Sequence, residues 1–150
     1  ASFVATATKV TPEVERIPCI DPVESAADKL SALAWRILDR VRGGPYDDPS
    51  VVRHIHDLAI LKDRAIASDK FSALVLASMQ ADATRPKNRP EIANLSPHER
   101  LTAMIETLSN DKIYVTEYER FVGGVSYANA SNVPTFADAL EAVQLLMQTF

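Results

Sequence analysis

Apolar side chains recur at spacings of three and four along most of the chain, and each such run opens on a helix-start signal. From Asp21-Pro22, with Glu24 three residues after the cap, the series Val23, Ala26, Ala27, Leu30, Leu33, Ala34, Ile37, Leu38 and Val41 keeps the helical period for about five turns. Gly43-Gly44-Pro45 ends it. Asp48-Pro49 predicts a second helix with Val51, Val52, Ile55, Leu58, Ala59 and Leu61 as its apolar face. A third is predicted from near Ser68-Asp69 through Phe71, Leu74, Val75 and Met79, followed by a polar loop from Thr84 to Pro90. Ser96-Pro97-His98-Glu99 has the form of a capping box and leads into Leu101, Met104, Ile105 and Leu108. A fifth helix is expected from about Ile113 to Val122, with Tyr114, Val115, Tyr118 and Phe121 facing the core and Gly123-Gly124 weakening its end. Thr135 caps the last, whose inner side carries Phe136, Ala139, Leu140, Val143, Leu146 and Met147.

The first twenty residues read differently. Phe3 to Val10 alternates apolar and small polar side chains, and Val14 to Ile20 does so between Pro12 and Pro18, which suits short or edge strands. The expected fold is mainly α: about six helices packed as a bundle, preceded by a short N-terminal β element, α+β overall. In domain terms, residues 1–20 are short strands that complete a sheet belonging to a preceding part, and 21–150 a helical C-terminal domain. The start within a strand-like alternation, without Met, predicts a fragment of something longer.

Composition narrows the picture modestly. A chain of 150 residues, 47% hydrophobic and 24% charged, suits one domain with a real core rather than disorder. The net charge of -4 argues against bulk electrostatic attraction to nucleic acid but not against a local basic patch. Cys19 is the only cysteine, so no intrachain disulfide and no cysteine-based zinc cluster can form. No apolar run approaches the roughly 20 residues that span a bilayer, and the N-terminus has neither a basic n-region nor an h-region. A cytoplasmic location is expected.

Candidate chemistry concentrates on the first two helices. At about 100° per residue, Lys29 falls between Arg36 and Arg40, within roughly 20° of each, so the three form one basic stripe. The second helix carries Arg53, Asp57 and Arg64, with Arg53 and Asp57 four apart on one face. On one reading the stripe is a solvated helix face and Arg53–Asp57 a surface ion pair of small worth. On the other, two antiparallel helices bring these positions together. Lys29 and Arg36 then hold phosphate oxygens, and Asp57 orients Lys29 or handles a proton. His54 and His56 are two apart and point away from each other, which excludes the same-face spacing a helical zinc site needs. Cys19 is expected as a small buried hydrophobe and Trp35 as a core or interface residue. Arg85, Lys87 and Arg89 form a basic loop, read as solvated rather than RNA-binding.

The segment Asp21-Pro22-Val23-Glu24-Ser25-Ala26-Ala27-Asp28-Lys29-Leu30-Ser31-Ala32-Leu33, then Arg36, then Arg53-His54-Ile55-His56-Asp57-Leu58, resembles the C-terminal half of AbiEii/AbiGii-type toxins. That family shows an Ala-Glu-Lys-Leu-like helix with a later Arg, then an Arg/Lys-Asp-x-x-Asp-Leu helix. Tyr118-Glu119-Arg120-Phe121 and the helix from Phe136 also resemble its C-terminal helices. The resemblance implies a nucleotidyltransferase of the polymerase-β type, of toxin–antitoxin or phage-defence systems. It implies phosphate contacts from Lys29, Arg36 and Arg53, and a catalytic role for Asp57 with Lys29. The family's Gly-Ser motif and Asp-x-Asp pair, expected to hold Mg²⁺ in the full-length protein, do not occur in this chain. The isolated chain is therefore expected to be inactive. The implied partners are a nucleoside triphosphate, RNA as acceptor and a cognate antitoxin. His54 stands where the family's first Asp is usual, and Asp28 where Glu is usual. The alternative is a helical interaction module that binds an antitoxin or other partner and has no nucleotide role.

Overall fold

The computed structural model describes residues 21–125 and 133–150; the two strands expected before Asp21, and Cys19, lie outside them. The described residues form seven helices and no strand: α1 (Pro22–Asp39), α2 (Arg53–Ala67), α3 (Phe71–Ala83), α4 (Pro90–Ala93), α5 (Pro97–Asn110), α6 (Ile113–Val125) and α7 (Phe136–Met147). A 3₁₀ turn, Pro49–Val52, precedes α2.

The start signals act as their chemistry requires. Asp21 accepts a hydrogen bond from the Val23 amide at 2.9 Å, with Pro22 at the first helical position. At α5 both bonds of the capping box form: Ser96 Oγ accepts from the Glu99 amide at 3.1 Å, and Glu99 Oε2 from the Ser96 amide at 2.8 Å. Thr135 caps α7 through the Asp138 amide at 3.1 Å. Asp48 caps as expected, but what it caps is the 3₁₀ turn; α-helix begins only at Arg53. Ser68 is extended, so α3 starts at Phe71 rather than near Ser68. Pro90 nucleates the one-turn α4, which the polar loop before it concealed. Helix α6 runs past Val122 through both glycines, so neither breaks it.

Helix α1 is the axis of the fold, packing against α2, α3 and α5. Its buried residues Ala26, Ala27, Leu30, Ser31, Leu33, Ala34, Trp35 and Ile37 span an arc of roughly 200° at 100° per residue. Three alanines on that arc let neighbours approach closely. The remaining arc, from Asp28 and Asp39 round to Lys29, Arg36 and Arg40, carries nearly all the helix's charge. Helix α7 packs on α2, and α6 on the 3₁₀ turn. One apolar cluster joins α1, α2, α3, α5, α6 and α7, with Tyr114 and Tyr118 of α6 almost fully buried. The Tyr118 hydroxyl donates to the Pro134 carbonyl at 2.7 Å, fixing the chain entering α7. Among the described residues no helix is long and apolar enough to cross a membrane.

Candidate functional site

Lys29 Nζ lies 2.9 Å from Asp57 Oδ2, and Arg36 Nη1 lies 3.3 Å from His54 Nε2. Numbers rise along α1 as they fall along α2, so the two helices are antiparallel and their polar edges meet. The other Asp57 oxygen is 3.3 Å from His56 Nδ1, and the His56 ring packs edge-on against Phe121 at 5.9 Å. Burial pushes the Asp57 carboxyl up, but hydrogen bonds from Lys29 and His56 outweigh it and hold it below the usual range. Both members of the Lys29–Asp57 pair remain about one-third exposed.

The expected Arg53–Asp57 pair does not form. Arg53 turns back to Asp48 Oδ2 at 3.0 Å and to Ser50 Oγ at 2.6 Å, because the 3₁₀ turn brings its capping aspartate within reach. Arg40 also departs from the stripe. It donates bidentately to Glu117 at 2.8 and 2.7 Å and to Asp47 at 2.7 Å, with only 6% of its side chain exposed. Hydrogen bonding to Glu117 raises its pKa further. Arg40 and Arg42 stack over the Tyr114 ring at 5.3 and 5.1 Å, and Arg42 reaches Asp111. Arg40 is thus an internal tie between α1, the following loop and α6, its charge met by two carboxylates and its side chain almost wholly buried.

An open groove of about 1320 Å³ runs along the polar arc of α1, between the loop from Arg40 to Asp48 and the end of α3 with its following loop. Arg36, Arg40, Arg53, Arg85 and Arg89 line it, as do Asp28, Asp39, Asp47, Asp48 and Asp82. Four of those arginines end on carboxylates: Arg40 as above, Arg53 on Asp48, Arg85 on Asp82, and Arg89 on Asp39 at 2.7 Å. Arg36, which is exposed, has no carboxylate partner among the described residues. Of the residues expected to meet phosphate, Arg36 and Arg53 line the groove; Lys29 and Asp57 stand at the α1–α2 seam outside its lining.

His54 is 8% exposed and its pKa is pushed down to about 4, first by burial and then by the positive charges of Arg36, Arg53 and Lys29. His98 is exposed. Among the described residues no three His, Cys, Asp or Glu side chains gather as metal ligands would. Trp35 is buried as expected, with the Arg100 guanidinium 4.8 Å from its ring centroid. Glu117 escaped the sequence reading although a signal was present. It sits on the buried side of α6 between Tyr114 and Tyr118, and a carboxylate there requires a buried cation.

No curated protein and no solved structure matches the chain. A family model does: nucleotidyl transferase AbiEii toxin, type IV toxin–antitoxin system, over residues 4–142. With that match running nearly end to end over the helices that form the seam and the groove, the chain belongs to the AbiEii nucleotidyl transferase toxin family.

Proposed function

We propose that this chain contributes the phosphate-holding helical part of a nucleotidyltransferase-type toxin, with a nucleoside triphosphate lying along the α1 groove. The observation that carries the reading is Arg36: an exposed guanidinium in a groove whose other arginines are each neutralised. Transfer of a nucleotide to an acceptor hydroxyl, of RNA in this proposal, releases pyrophosphate, and a fixed cation stabilises the charge that gathers on the leaving phosphates. Lys29 adds a second cation one helix edge away, its ammonium aimed by Asp57 at 2.9 Å. Asp57, ionised through the neutral range, orients Lys29 and is the group nearest to a proton-handling role. In this proposal Mg²⁺ belongs to the full-length protein.

Thermal unfolding with each nucleoside triphosphate and Mg²⁺ tests this. Ligand at about 100 times its dissociation constant stabilises a fold by roughly 2.7 kcal/mol, a clear shift. The expected result is a shift in the parent that is lost in Arg36→Ala and reduced in Lys29→Ala. An unmoved parent overturns the reading in favour of an interaction module for an antitoxin. That second reading draws on Val41 and Tyr46, which are 66% and 96% exposed on the groove rim.

A further inference from the structure

Among the described residues that line the α1 groove, only Trp35 and Tyr46 are aromatic. Trp35 is buried, and the Arg100 guanidinium lies 4.8 Å from its ring centroid. Tyr46 is the reverse case: it is 96% exposed, with its ring open to solvent on the groove rim.

The backbone beneath that ring is tied at several points. The Gly44 amide donates to the Val41 carbonyl at 3.1 Å and the Asp47 amide to the Gly44 carbonyl at 3.2 Å, which makes two successive β-turns. Pro45 takes the second position of the later turn, where its fixed φ is preset for the bend, and Tyr46 takes the third. The Asp47 carboxylate then accepts from the Gly43 amide at 3.2 Å and from Arg40 Nε at 2.7 Å, and Arg40 is itself held by Glu117 of α6. An aromatic side chain on so fixed a turn gives up little conformational freedom when a flat ligand covers it.

We infer that Tyr46 is the platform on which the base of the nucleoside triphosphate stacks, with Arg36 meeting the phosphates in the same groove. The inference rests on the proposed function and assigns the part of the ligand that phosphate contacts leave unspecified. Every base has a π face, so stacking on an aromatic side chain holds it without requiring a matched hydrogen-bond pattern. At about 1320 Å³ the groove has room for a nucleoside beyond the phosphates, since small-molecule sites usually occupy about 300–1,000 Å³. The ligand is thereby given a direction, phosphates on α1 at Arg36 and base towards the loop that follows the helix.

The test is calorimetric titration of the chain with adenosine triphosphate and, separately, with inorganic tripolyphosphate, in parent, Tyr46→Phe, Tyr46→Ala and Arg36→Ala forms. Tyr46 is exposed, so its variants are expected to fold, and thermal unfolding without ligand checks this. Tyr46→Ala is expected to weaken adenosine triphosphate at least about fivefold while leaving tripolyphosphate within about twofold of the parent. Tyr46→Phe keeps the ring and should bind both ligands as the parent does, whereas Arg36→Ala should lose both. Parental affinity for adenosine triphosphate in Tyr46→Ala, or an equal loss towards both ligands, overturns the role of Tyr46 alone. A loss in Tyr46→Phe as large as in Tyr46→Ala also overturns it, because the hydroxyl and not the ring is then the contact. A parent that binds neither ligand overturns this inference and the phosphate reading together.

Discussion

At His54 two demands meet: the ring is buried, yet one nitrogen faces an arginine. Its pKa in the fold, about 4, lies below the ordinary 6.5. Between those values the unfolded chain binds the extra proton and the folded chain does not, so stability rises with pH across that window and is lost as pH falls from 6.5 towards 4. The full loss is at most about 3 kcal/mol, and about 2 kcal/mol of it is gone by pH 5. Urea denaturation at pH 7 and pH 5 should therefore show a smaller drop in His54→Gln than in the parent; identical drops would contradict it. Asp57 titrates on the other side of this window. Its carboxyl is held below 3.8, so its stabilisation persists at pH 5 and is lost only as pH falls through that depressed value.

Helix ends carry the element-scale predictions. The reciprocal capping box of α5 satisfies two backbone amides that the helix itself leaves open. Ser96→Ala should cost about 1 kcal/mol, read as a lower urea midpoint at unchanged slope. Helix α6 continues through Gly123 and Gly124, and a methyl group at either would meet nothing within 4 Å. Gly123→Ala should then stabilise by about 0.5–1 kcal/mol, since alanine gives up less backbone freedom on entering a helix. A melting temperature no higher than the parent's would contradict a helical Gly123. Gly43 is different: its φ of 74° lies in the left-handed region, and the turn after α1 depends on it.

Across the whole molecule, Arg40 and Glu117 join α1 to α6 through a pair of charges that are both 6% exposed. Glu117→Ala strands a buried guanidinium with only Asp47 to meet it, and should cost about 3–5 kcal/mol. Arg40→Met with Glu117→Leu should recover most of that loss, because removing both charges also removes the penalty of burying them. Denaturation of the single and double variants checks this: a double variant as unstable as the single would mean that the pair contributes net stability. The same tie sets the loop from Arg40 to Asp48 that forms one wall of the groove. Loosening it is expected to weaken any ligand held there.

Local pattern was enough for those helices whose start signal is complete within one turn. Caps at Asp21, Ser96 and Thr135, and the three-four spacing of apolar residues, place α1, α5 and α7 because the forces involved act within one turn. The family was legible for the same reason: Lys29, Arg36 and Asp57 stand in short helical motifs that survive without long-range information. Their partners were a different matter. An ion pair expected at i,i+4 between Arg53 and Asp57 lost to Asp48, which the 3₁₀ turn delivers, and Asp57 instead meets Lys29 from another helix. Of three cations on one stripe, the fold buries Arg40 against Glu117, pairs Lys29 with Asp57 and leaves Arg36 to a neutral histidine. Spacing along a helix determines which side chains share a face. Which of them stays charged and accessible depends on the groups that other helices bring against that face, and only the tertiary structure decides that.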